Sequence, residues 1–203
     1  MQDLKEFFQG EISKPSRIAL LVISLALIPA LFLPVWEITL HAPQYPEGLS
    51  MEIMSHTVQG DIQEINNLNH YIGMQEISPD EFPEFNFIPF FIGRFLLLAG
   101  LAFLVARMPI AALGYIDFVV FGAVMMWDFQ HWLYEYGHNL SPDAPIEIEP
   151  FTPTILGSTE VGQFAVTAYP DWGGALMLLA GAAGPVILGY EWWRRKKKGA
   201  GES

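Results

Sequence analysis

Cysteine is absent from this chain of 203 residues. The chain therefore has no disulfides and no thiolate ligands. This excludes a thiol-redox role and any zinc site built on cysteine. A metal site in this chain must use imidazole, thioether or carboxylate ligands.

Basic residues are missing from two long segments. Residues 37–86 and 131–171 contain no Lys or Arg but fifteen Asp or Glu, in a chain whose formal net charge is −12. With the exception of Arg94, the basic residues lie outside the apolar runs or at their ends. Because Lys and Arg mark the cytoplasmic side of membrane proteins, this pattern predicts cytoplasmic N- and C-termini and two acidic segments on the outer side. No strongly basic surface faces outward, so no nucleic acid partner is predicted.

Polar residues are scarce in four apolar runs. The runs cover residues 17–35, 87–106, 109–127 and 172–192. Each is long enough to cross a hydrocarbon core of about 30 Å, which takes about 20 helical residues. We therefore predict one integral membrane domain over residues 1–203, embedded in the bacterial inner (cytoplasmic) membrane. The charged residue Arg94 is expected to pair with Asp117 or with Asp128, because an unpaired charge in a membrane costs several kcal/mol.

The fold class predicted from these runs is an all-α membrane protein with four transmembrane helices and a small mixed cap on the outer side. In the cap, the alternation over Trp36–Leu40 predicts a short strand. A helix is predicted over Asp61–Tyr71, ending before Gly73. PIEIEPFTPTIL (145–156) and QFAVTAY (163–169) both alternate and are expected to pair as strands.

All five histidines fall on the predicted outer side. Continued as a helix, the stretch Trp127–Asn139 places four possible metal ligands on one face, and MEIMSH (51–56) and LNHYIGM (68–74) add His and Met at short spacing. Imidazole with thioether or carboxylate, in the absence of Cys, suits copper. The candidate ligands are His56, His70, Met74, Asp128, His131, Glu135 and His138. The alternative is that the histidines only hydrogen-bond acidic neighbours or buffer protons.

A resemblance covers most of residues 36–174. The segments APQYPEGL, LNHYIGM, DFQHWLYEYGHNLSP and YPDWGG resemble an uncharacterised family of small four-span bacterial membrane proteins, which often accompany genes for nitrous oxide reductase and for copper delivery. The segment PIEIEPFTPTIL is more acidic here than in the family pattern. The resemblance implies copper handling, and it assigns no catalytic residue.

These observations predict a non-enzymatic membrane accessory protein. It would assist assembly of, or copper supply to, an extracytoplasmic metalloenzyme such as nitrous oxide reductase, with the lipid bilayer and a periplasmic or membrane metalloprotein as partners. The alternative is an integral subunit of a respiratory electron-transfer complex that anchors a periplasmic carrier or borders a quinone site. Haem b ligation is a weaker reading, because only His131 lies close to a span.

Overall fold

The structure is a computed structural model that describes residues 10–161 and 164–199. Its contacts divide the chain into two compact units. The helical unit comprises residues 10–29, 90–122 and 176–199, and the sheet unit comprises residues 30–89, 123–161 and 164–175.

The described residues form five α-helices and five strands. The helices are α1 (Lys14–Leu25), α2 (Ile62–Ile72), α3 (Ile88–Val105), α4 (Met108–His138) and α5 (Trp172–Gly199). The strands are β1 (Trp36–Ala42), β2 (Tyr45–Ile53), β3 (Val58–Gly60), β4 (Gly157–Val161) and β5 (Phe164–Pro170). The strands build one sheet in the order β3-β2-β1-β5-β4, in which every neighbouring pair is antiparallel.

The predicted all-α class is therefore wrong, because a five-stranded sheet accompanies the helices and makes the fold mixed α and β. The strand predicted at Trp36–Leu40 is present and extends to Ala42. Its hairpin partner β2 begins at Tyr45, within the segment APQYPEG (42–48), whose Pro and Gly residues are typical of turns. QFAVTAY supplies β5, but β5 pairs with Gly157–Val161 and not with residues 145–156. The four long apolar runs dominate the sequence, whereas the strands between them are short and their pairing is not visible in local patterns.

Four helical stretches are long and apolar enough to cross a membrane. They are Lys14–Leu31, Pro83–Val105, Met108–His138 and Trp172–Lys197, which contain or closely match the four predicted spans. The first is not one continuous α-helix, since α1 ends at Leu25 and a 3-10 turn follows over Ile28–Leu31. That turn contains Pro29, which lacks the amide hydrogen that would continue the helix.

Large apolar side chains of these stretches point outward. Exposed examples are Val22, Leu97, Leu104, Val120 and Leu179. A surface of this kind is unfavourable in water and suits hydrocarbon, because it leaves many apolar side chains without partners. The outward faces of the helices thus agree with their length and composition.

The interior of the helical unit combines a small apolar core with polar contacts between helices. Ile12, Ala102 and Met108 are buried together. The hydroxyl of Tyr115 donates to the carbonyl of Gly181 at 3.1 Å, joining α4 to α5. Ser13 and Arg194 both donate to the fully buried carboxylate of Glu191.

The charge pair expected inside the membrane is formed by α3 and α4. Arg94 Nη2 lies 2.7 Å from Asp117 Oδ1, so Asp117 and not Asp128 is the partner. The guanidinium also lies over the ring of Phe91, 4.2 Å from its centroid.

The core of the sheet unit lies between one face of the sheet and the last turns of α4. Ile38, Val166 and Ala168 of the sheet are buried with Leu133 of α4. The indole of Trp36 meets the ring of Phe129 edge-on at 5.7 Å. Because strand side chains alternate, the other sheet face carries Glu37, Thr39, Glu52 and Thr167.

Helix α2 follows its sequence prediction closely. Gly73 ends it in the left-handed conformation, with φ of 79°, which glycine adopts without strain. Asp61 stands at the N-terminal cap position, but its carboxylate accepts the amide of Ser50 at 2.8 Å. The helix start is therefore tied to β2 by this side chain.

Candidate functional site

The C-terminal part of α4, residues 123–138, belongs to the sheet unit and carries four of the predicted metal ligands. The helix has 31 residues, about 46 Å, and so is longer than a hydrocarbon core of about 30 Å. The prediction that the helix continues through residues 127–138 is confirmed. Gly137 allows the backbone at Phe151 to approach this end of the helix closely, because a glycine has no Cβ to collide with it. The N–H of Phe151 donates to the Gly137 carbonyl at 3.0 Å.

Four rings share one face of this helix. Trp127, His131, Tyr134 and His138 are spaced i, i+4, i+7 and i+11, which keeps them in line on a 3.6-residue period. The His131 ring lies parallel to the Trp127 ring at 6.0 Å, and the His138 ring lies parallel to the Tyr134 ring at 3.8 Å. We call these four side chains the ring strip.

His138 has a fixed tautomer in this arrangement. Its Nδ1 lies 3.0 Å from the carbonyl oxygen of Tyr134, which only accepts, so Nδ1 carries the proton. Nε2 is left with the lone pair that a hydrogen-bond donor or a metal ion would use.

The predicted ligand column along α4 does not form a single four-ligand site. His131 and His138 are seven residues apart, about 10 Å along the helix axis, which is too far to share one ion. Glu135 instead accepts a hydrogen bond from the amide of Asn139. Asp128 with His131, and Glu135 with His138, remain as two-residue pairs at i, i+3 spacing.

The ligands predicted from the loops are spread over the sheet unit. His56 is exposed after β2, with Nδ1 3.3 Å from the hydroxyl of the buried Ser55. His70 is exposed on α2, its ring 6.4 Å from that of Tyr71. Met74 is half-buried just after α2, where its N–H donates to Asn69.

The seven predicted ligands are therefore not assembled into one group. Among residues 10–161 and 164–199, no three His, Asp or Glu side chains are placed to hold one metal ion. The methionines of MEIMSH have a packing role, since Met54 is only 6% exposed and Met51 packs against the sheet core. Copper binding stays a prediction.

A second cluster on α4, formed around Tyr136 and Trp132, was not predicted from the sequence. Tyr136 is buried, and its hydroxyl donates at 3.1 Å to the carbonyl of Glu76 and lies at the same distance from the carboxylate of Glu81. Its ring and that of Trp132 contact Phe82 at 6.2 and 4.8 Å. Interleaved aromatic residues such as those at 127–136 are typical of a membrane interface, and this pattern does not indicate that Tyr136 anchors the segment before α3.

Comparison with known proteins adds no assignment. No protein-family profile matches the chain, and no curated protein matches it. The resemblance to the family found near nitrous oxide reductase genes therefore stays a prediction.

Proposed function

We propose that this chain is a non-enzymatic accessory protein of the bacterial inner membrane that assists assembly of, or copper supply to, an extracytoplasmic metalloenzyme. The observation that carries this proposal is the separation of charge between the two units. The stretches that form the sheet unit contain all five histidines and no Lys or Arg, whereas the basic residues belong to the stretches of the helical unit.

The positive-inside pattern supports the proposed sidedness. The basic run Arg194–Lys198 follows the apolar part of α5, which favours a cytoplasmic end for that helix. Exposed aromatic side chains also occur near the other end of each predicted span, where they mark the headgroup layer, although aromatic belts form at both interfaces and do not by themselves give the sidedness. They are Phe32, Phe87, Trp127 and Trp172. The sheet unit then faces the extracytoplasmic side.

The incomplete ligand pairs on α4 support copper supply. Glu135 and His138 together offer only two ligands to an ion, at i, i+3 spacing. A partner that adds further ligands would bind the ion more tightly and so draw it away. Under this proposal, copper is cargo, and no step needs a covalent change in this chain.

Equilibrium dialysis of the purified protein against Cu²⁺ tests the copper part of the proposal. At about 0.5 M salt, where the Debye length is only a few Å, loose attraction to the acidic unit is screened. We expect about one copper ion per chain to be retained, and retention to fall on acidification because imidazole must be neutral to bind a metal.

One double variant and one single variant test whether the bound copper depends on the histidines of α4. His131→Ala with His138→Ala should lose at least most of the bound copper, and His41→Ala is the matched control, because it removes the one histidine that is not among the predicted ligands. Equal retention in the double variant and in the control contradicts a site on α4.

A respiratory subunit is the second candidate, and one observation favours it. Arg94 Nε and Asp117 Oδ2 are both buried without a hydrogen-bond partner in the described part of the chain. Ionisable residues inside membrane segments often belong to ion pathways or proton relays, and such a relay is compatible with a respiratory subunit. Extraction of the purified protein and analysis for bound quinone and haem distinguishes this role from the first.

A further inference from the structure

We propose that the ring strip of α4 is a docking surface for an Arg- or Lys-bearing segment of a partner protein. This inference rests on the proposed function for its extracytoplasmic location. It goes further by naming the surface and the chemistry of the partner. It does not require that copper binds.

The first step is that no described residue covers the strip, which starts at Trp127 in the headgroup layer and continues beyond it to His138. The side chain of Trp127 is 69% exposed and that of Tyr134 is 48% exposed, even though Tyr134 stacks against His138. Both rings are large, and exposed aromatic patches with a polar rim mark interaction sites on proteins. The rings are also held in place by their stacking and by the rigid helix, so little order is lost when a partner binds.

The second step concerns the rim of the strip. Asp128 and Glu135 lie next to the rings on the same helix, about a quarter turn away. Aromatic faces attract cations, and neighbouring carboxylates add a charge-assisted hydrogen bond to the same cation. An Arg side chain uses both, because its planar guanidinium stacks on a ring while its N–H groups reach a carboxylate.

The third step is charge complementarity. Residues 30–89 and 123–175 contain no Lys or Arg, so no basic side chain of the sheet unit competes for these rings and carboxylates. The same lack of positive charge favours approach of a basic partner over the wider acidic surface. An anionic partner would find no Lys or Arg in this unit to pair with.

A titration with a defined peptide tests the proposal in the absence of metal. The probe is a fluorescent heptapeptide with three Arg residues separated by Gly, and its counterpart has citrulline, the neutral isostere, in place of each Arg. Binding to the full-length protein in nanodiscs is measured by anisotropy with a chelator present. We expect the Arg peptide to bind at least about tenfold more tightly than the citrulline peptide.

Substitutions at Tyr134 then show how much of the peptide binding depends on the aromatic ring and how much on the acidic charge of the protein. Tyr134→Leu should weaken binding of the Arg peptide roughly three- to fivefold, and Tyr134→Phe, which keeps the ring, should leave it unchanged. Tyr169→Leu is the matched control, because Tyr169 is 54% exposed and lies on the sheet. Equal loss in Tyr134→Leu and Tyr169→Leu, no loss in Tyr134→Leu, or no preference for Arg over citrulline would overturn the proposal.

A lipid occupant is tested separately. The chain has no Cys, so a nitroxide attached to Tyr134→Cys reports on one position only. We expect the label to be relaxed more by a water-soluble nickel complex than by oxygen. The opposite preference would place the strip against lipid and refute the docking proposal. Because Tyr134 is not a candidate ligand, neither result decides whether copper binds.

Discussion

Removal of Arg94 should destabilise the helical unit strongly. Arg94→Leu leaves the Asp117 carboxylate without its 2.7 Å partner on the neighbouring helix. The side chains of the pair are only 35% and 28% exposed, and in a bilayer those exposed parts face hydrocarbon instead of water. Solvent screening, which makes surface ion pairs weak, is therefore slight here.

Two contributions set the size of the effect, namely the stranded carboxylate, for which two ranges are available, and the lost contact with Phe91. Stranding one member of a buried pair costs roughly 3–5 kcal/mol, and a single charged residue at the centre of a span costs about 2.5–3.5 kcal/mol on insertion scales. Loss of the guanidinium from the Phe91 ring, 4.2 Å from its centroid, adds about 0.5–1 kcal/mol. We expect Arg94→Leu to lower the free energy of unfolding by about 3–6 kcal/mol.

The double variant Arg94→Leu with Asp117→Leu decides whether the loss comes from the stranded charge. It removes both charges, so it should recover at least about 2 kcal/mol relative to Arg94→Leu alone. Unfolding is followed by thermal denaturation and by SDS titration in mixed micelles, with Arg107→Leu as a control at an exposed position. A double variant that is less stable than Arg94→Leu by the full cost of Asp117→Leu would show that the pair contributes nothing.

Two further predictions concern the C-terminal part of α4. A Cβ at Gly137 would collide with the carbonyl oxygen of Phe151, so Gly137→Ala should destabilise the protein by about 1–3 kcal/mol. Gly122→Ala is the control, because a Cβ at Gly122 meets nothing within 4 Å and should not destabilise the protein, and thermal denaturation of both variants measures the difference. Tyr136→Phe should cost about 1–2 kcal/mol because a buried hydroxyl with two hydrogen-bond partners is lost, and the same change at the exposed Tyr134 should cost close to nothing; equal stability of these two variants would contradict the anchoring role.

Local patterns in the sequence predicted much of the fold. The apolar runs located the four candidate spans, and the absence of Gly or Pro between Asp128 and Tyr136 allowed α4 to continue past the bilayer length. Gly73 marked the end of α2 because a left-handed residue is needed there. These features depend on neighbouring residues only, which is why a single sequence reveals them.

Long-range pairing was the part that local patterns missed. β4 pairs with β5, although GSTEV (157–161) shows no clear apolar alternation, and the more regular segment 145–156 forms no strand. Periodicity predicted that the four candidate ligands of α4 share one face, but it carried no information on whether His56, His70 or Met74 would be brought to that face. The choice between Asp117 and Asp128 as the partner of Arg94 also depended on how two helices align.

Sidedness of the sheet unit is the central claim, and cysteine labelling tests it most directly. Single cysteines are introduced at Ser50, Ser158 or Gly199 of the cysteine-free chain, and spheroplasts are treated with a membrane-impermeant thiol reagent. We predict that the cysteines at Ser50 and Ser158 are labelled in intact spheroplasts and that the one at Gly199 is labelled only after lysis. Labelling at Gly199, with Ser50 and Ser158 protected until lysis, would place the acidic, histidine-bearing unit in the cytoplasm and contradict the account.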